Sequence, residues 1–176
     1  LLYIMPNTFT QGNRHIALWG GGFPRTTGAS GKWLCIPTGH MQAYLSMGTS
    51  VGAPDTSYNP SLTADDLGVI IWNAPSTIVV TKCRIWYAQG ASVNTTHALC
   101  LMRYDIDADG TLSNGAEVAG PDTDAGSDDY TTLAHTDLTM TTDTEIGEDQ
   151  VLIAMIYCID AINAAITGKC VIEYTM

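Results

Sequence analysis

The sharpest chemical signature in this chain is Asp105-Ile106-Asp107-Ala108-Asp109-Gly110-Thr111-Leu112. Alternate carboxylates followed by glycine match the opening of a calcium loop, where side chains converge on one cation and glycine permits the sharp turn. The bidentate ligand of such a loop is misplaced here: the twelfth position is Ala116, and Glu117 comes one residue late. The flanks read as strands rather than helices, and Asp109-Gly110 is a favoured two-residue turn. A plain hairpin tip is the favoured reading. A non-EF Ca²⁺ site at Asp105, Asp107 and Asp109 is the alternative, and no other cofactor is expected.

Asp122, Asp124, Asp128 and Asp129 form a second acidic segment with Gly120, Pro121 and Gly126, which reads as a surface loop. Paired carboxylates serve glycoside hydrolysis when their separation is right. These lie in polar loops with no aromatic sugar platform evident nearby. Other chemistry fails on spacing. Gly31-Lys32 is followed by Trp33 where a phosphate loop needs Ser or Thr, and Gly28-Ala29-Ser30-Gly31 is one residue short of a nucleophile elbow. His15, His40, His97 and His135 are scattered without metal spacing and read as surface or loop histidines. Asn94-Thr95-Thr96 is a glycosylation sequon that matters only in a secreted chain. No catalytic residues are assigned, and the chain is not expected to be an enzyme.

Composition narrows the partners. The 176 residues carry a formal net charge of −11, which argues against nucleic acid and against an anionic membrane surface. Thirteen of the eighteen acids fall between Asp105 and Asp149, a stretch without Lys or Arg, as suits a solvated, self-repelling outer surface. Hydrophobic content of 45% fits a globular chain, while a charged content of only 14% leaves little polar surface and favours assembly with other subunits. Four of the five cysteines (Cys35, Cys83, Cys100, Cys158 and Cys170) sit in apolar runs, without a C-x-x-C. They read as buried reduced thiols, which fits folding in a reducing cytosol. No apolar run reaches membrane-spanning length, and Leu1 to Met5 is too short for a signal segment.

The elements that must position these residues divide at about residue 62. Residues 1–62 read as an extended, glycine-rich arm, with Trp19-Gly20-Gly21-Gly22-Phe23-Pro24 as loop chemistry, short strands at Lys32–Pro37 and Met41–Met47, and a linker at Val51–Pro60. Residues 63–176 read as a β-sandwich. Val69 to Trp72 is a β-branched and aromatic run. Ile78 to Tyr87 alternates, with Cys83, Ile85 and Tyr87 opposite Lys82, Arg84 and Trp86. Ala98, Cys100, Met102 and Tyr104 stand opposite Leu99, Leu101 and Arg103, and Val151 to Ile159 is apolar on both faces, as suits a central strand or a subunit contact. Lys169 to Thr175 is the last strand, opened by Gly168.

That order of features resembles a family. Ala74-Pro75 leads into a regularly alternating strand, and a long hairpin follows with the Asp109-Gly110 tip and Leu112-Ser113-Asn114-Gly115-Ala116. A Thr-rich strand, the turn Gly147-Glu148-Asp149 before an apolar strand, and a final Gly168-Lys169-Cys170-Val171-Ile172-Glu173-Tyr174 complete it. Over residues 68–176 this resembles the jelly-roll modules of tailed-phage virion proteins, particularly capsid decoration (cement) proteins and head- or tail-fibre domains. The resemblance implies a trimeric, non-enzymatic component of the capsid surface, assembled in the host bacterial cytoplasm and bound to the major capsid protein. Trp19, Phe23, Trp33 and Tyr44 are then the expected intersubunit anchors, as aromatics beside glycine-rich backbone; Trp72 and Trp86 could equally be core residues, and core is preferred for Trp72. The alternative is a fibre or tail-tip module for a receptor or glycan, using loops around Asp105–Asp129 or Ala88–Thr96. A third option is a cellular lectin-like or carbohydrate-binding module.

Overall fold

The computed structural model describes residues 9–11, 13–23, 31–39, 46–50, 52–57, 71–89, 97–122, 134–158 and 166–176. These form eleven strands, and among the described residues there is no helix. They are β1 (Phe9–Gln11), β2 (Arg14–Phe23), β3 (Lys32–Cys35), β4 (Trp72–Asn73), β5 (Ile78–Gln89) and β6 (His97–Ile106). β7 (Leu112–Asp122), β8 (Ala134–Leu138), β9 (Glu145–Ile146), β10 (Gln150–Cys158) and β11 (Ile166–Thr175) follow. One antiparallel sheet runs β1-β2-β11-β5-β8, with β9 also on β5; the other runs β3-β10-β6-β7, with β4 also on β10. The eight longer strands are nested: β2 pairs β11, β3 pairs β10, β5 pairs β8 and β6 pairs β7.

Alternation explains the first sheet. Ile78, Val80, Cys83, Ile85 and Tyr87 of β5, Cys170, Ile172 and Tyr174 of β11, and Ala17 and Trp19 of β2 are buried on one face. Lys82, Lys169 and Asp137 are exposed on the other. The second sheet is covered on both faces. Toward the first sheet, Trp72 stacks on Trp19 with ring centroids 5.6 Å apart, and Ile36 lies against Gly168. The residues of both sheets form one buried cluster.

The opposite face of the second sheet presents Trp33, Tyr157 and Tyr104, which the strand register places on one side. The chain after β3 crosses that side. Ser46 bridges Leu34 at one sheet edge, and the Gly115 N–H of β7 at the other edge donates to the Thr56 carbonyl at 2.7 Å. Between these points the Trp33 indole donates to the Ser50 carbonyl (2.7 Å), the Tyr157 hydroxyl to that of Thr49 (3.1 Å) and the Tyr104 hydroxyl to that of Asp55 (2.7 Å). Each aromatic supplies apolar area and satisfies its polar tip on loop backbone, which a buried Tyr or Trp needs. β10 is buried from Val151 to Tyr157 for this reason: it is central, and its own chain roofs it.

The described segments among residues 1–62 do not show the expected extended arm. β2 forms an unbroken ten-residue register with β11, and Trp33, Leu34, Cys35 and Ile36 are fully buried. The described segments 14–23 and 32–36 are strands and core of the two-sheet body rather than an arm outside it. The Gly20-Gly21-Gly22 run is strand, not loop. A Cβ on Gly21 would collide with the Gly39 carbonyl, and one on Gly20 would lie 2.8 Å from the Lys169 Cα. Glycine in a strand interior marks such a close backbone approach. The run Met41–Tyr44 and residues 58–70 lie outside the described residues.

Candidate functional site

The acidic motif is a hairpin tip. The Asp107 N–H donates to the Thr111 carbonyl (2.9 Å), the Gly110 N–H to that of Asp107 (2.8 Å), and Gly110 takes the left-handed φ of +84° that favours glycine there. Each carboxylate has its own local donor. Asp105 accepts from the Gln150 side-chain amide (2.7 Å) and the Asn114 amide (2.8 Å), Asp107 from the Ser113 hydroxyl (3.0 Å), and Asp109 from the Thr111 N–H (3.0 Å). Those donors hold Asp105 below the usual aspartate range, the Gln150 bond contributing most, and the Thr111 backbone does the same for Asp109. Among the described residues, no three His, Cys, Asp or Glu side chains converge as a cation site would require. Asn114, at φ +50°, sits where β7 carries an extra residue opposite Arg103–Asp105, and that bulge turns its amide onto Asp105. In the second acidic segment Asp122 ends β7, while Asp124, Asp128 and Asp129 lie outside the described residues.

The aromatic anchors separate. Trp19 is 5% exposed and Trp33 is 0% exposed, so both belong to the core of one chain instead of standing ready for a neighbour. Their sequence neighbourhood is rich in glycine, but strand pairing turns both rings inward. Phe23 ends β2, and Tyr44 lies outside the described residues. Trp72 is half-buried against the core, as expected.

The described thiols are withdrawn. Cys35, Cys83, Cys100 and Cys170 are buried free thiols, and burial pushes Cys35, Cys100 and Cys170 upward, away from the reactive thiolate. Of the described histidines, His15 of β2 stacks on Tyr174 at 5.2 Å, and His135 of β8, a surface histidine as expected, lies against Trp86 at 4.4 Å.

The surface that sequence reasoning missed is the solvent side of the first sheet. Lys82 and Arg14 pair with Glu173 at 3.3 and 3.9 Å, and Arg84 forks onto Asp137, holding that carboxylate below its usual range. One row higher, His135, Trp86, Lys169 and Gly20 stand side by side on β8, β5, β11 and β2. The signal in the sequence was the alternation of Lys82, Arg84 and Trp86, which put the indole on the polar face. Set against known proteins, the sequence matches no family model and no curated protein.

Proposed function

We propose that this protein is a structural virion component that decorates and stabilises a tailed-phage capsid, as a homotrimer bound to the major capsid protein and without catalysis. The observation that supports it best is the nesting of the strands. Among the eight longer strands, first pairs with last and second with second-last, giving β2-β11-β5-β8 over β3-β10-β6-β7. That chain path is the one expected of a jelly roll, an architecture used by viral capsid and lectin domains. Withdrawn thiols and carboxylates occupied by structural hydrogen bonds suit a scaffolding role. Each subunit would add contact area at joints of the shell, and a trimer gripping several capsid subunits at once holds by avidity.

Counting copies in purified particles tests this. Hundreds per virion on a stained gel, released together with a loss of capsid stability, support decoration. A few copies at the tail favour the fibre or tail-tip receptor module instead, a reading that the lectin use of the same architecture keeps in play.

A further inference from the structure

Trp86 stands on the solvent side of β5, half-buried, with His135 and Lys169 exposed on either side of it. The His135 ring lies 4.4 Å away at 32° to the indole, and the Arg84 guanidinium carbon is 6.0 Å from the ring centre. A shallow hollow of about 360 Å³, lined by Trp86, Thr167, Gly168 and Lys169, opens beside the ring. That size lies at the lower end of small-ligand sites, roughly 300–1,000 Å³. The row ends in Gly20, which has no side chain to raise a wall. The other cations of this face are spoken for: Arg14 and Lys82 by Glu173, Arg84 by Asp137. Lys169 makes no ion pair among the described residues. In a chain of net charge −11, an unpaired ammonium beside an accessible indole inverts the local charge.

We propose that this row binds a carboxylate-bearing pyranose, its apolar ring face on the Trp86 indole and its carboxylate on the Lys169 ammonium. A pyranose exposes C–H groups on one face and hydroxyls around its rim. The electron-rich face of the indole on the Lys169 side suits the first, and Thr167, which lines the hollow, suits the second. A peptide is disfavoured because β5 is paired on both sides, by β11 and β8, leaving no main-chain edge for strand addition. Phosphate is disfavoured because the nearest guanidinium fork is already filled by Asp137, and a single ammonium is a point charge. One stacked ring and one exposed charge make a weak site, which many copies on a particle would convert into firm attachment. The inference holds whether or not the protein sits on a capsid.

The test is titration of the whole protein with galacturonate and short oligogalacturonates, against galactose and galactose oligomers of the same lengths. Binding is read from indole N–H cross-peaks and tryptophan fluorescence. The acidic sugars are expected to shift the Trp86 signal saturably, and added salt should weaken them. Trp86→Ala should abolish the shift, with the fold checked by circular dichroism. If that variant unfolds, Trp86→Phe should weaken both sugar series alike. Lys169→Met should bring the acidic sugars down to the neutral ones, about fivefold, the worth of an exposed ion pair. Equal affinity for acidic and neutral sugars in the unaltered protein, no saturable shift at millimolar sugar, or competition by poly-aspartate at lower concentration than oligogalacturonate would each overturn the proposal.

Discussion

Asp105 joins three parts of the molecule: it lies near the end of β6, takes an amide from Gln150 at the start of β10, and takes another from Asn114 in the β7 bulge. Because its folded pKa is depressed, it contributes stability that is present above the ordinary aspartate range and lost as pH falls through the folded value. Asp105→Ala should destabilise the protein at neutral pH by about 1 kcal/mol for the two stranded amides, read as a lower urea midpoint. It should cost less as pH falls below the ordinary aspartate value, because the unfolded chain then takes up a proton that the folded carboxylate resists. An equal loss at pH 7 and at about pH 3, on either side of the ordinary aspartate pKa, would contradict this. Calcium belongs to the same scale. With each carboxylate already engaged by its own donor, millimolar Ca²⁺ should leave the melting temperature unchanged, because a ligand stabilises only through an ordered site. A rise of several degrees that Asp107→Ala abolishes would establish a cation site. The thiols give a third outcome: Cys35, Cys83, Cys100 and Cys170 should resist a thiol reagent in the native protein and react on denaturation.

Elements are held by close approaches that single substitutions can break. Gly21→Ala drives a methyl into the Gly39 carbonyl, where backbone must move on both sides, so β2 should lose its pairing with β11. At Gly110 the space is open and only the left-handed φ opposes a side chain. Gly110→Ala should therefore cost about 1–2 kcal/mol, and Gly21→Ala distinctly more. Similar denaturation midpoints for the two variants would show that the backbone relaxes around Gly21. Trp33→Ala removes a fully buried ring and the indole bond that ties Ser50 down, and should cost about 3–5 kcal/mol. Trp33→Phe should recover the packing but not the tie, so exchange of the amides of residues 46–50 should stay faster than in the unaltered protein.

The described residues form two sheets, in one of which β2 pairs with β11 and in the other β3 with β10. β2 and β3 cover flanks of β11 and β10 that would otherwise present bare backbone beside apolar residues. Amides of β3 that bond to β10 should exchange as slowly as those between β10 and β6, at the free energy of global unfolding. A chain starting at Gly68 should lose cooperative melting and aggregate. A truncated protein that melts cooperatively, with β10 still protected, would restore the picture of a separable N-terminal arm.

Much of the strand content was legible because its signal is local. A side-chain period of two reads directly as two faces, so Cys83, Ile85 and Tyr87 separate from Arg84 and Trp86 without knowledge of any partner. The Asp109-Gly110 tip and the cysteines behaving as small hydrophobes were legible for the same reason: turn chemistry and apolar neighbours lie within a few residues. The glycine run of β2 was not, since what requires glycine at position 21 is a carbonyl eighteen residues away, brought there by packing. Trp19 and Trp33 look alike in sequence to surface anchors; only the stacking of Trp72 and the carbonyl of Ser50 decide that they are core. The row His135, Trp86 and Lys169 exists solely through pairing of β8, β5 and β11, strands far apart in the chain. By itself the sequence determined which residues alternate and where the chain turns. Tertiary structure alone decided which strands meet and which faces stay open, because burial and hydrogen-bond partners depend on residues that no local pattern brings together.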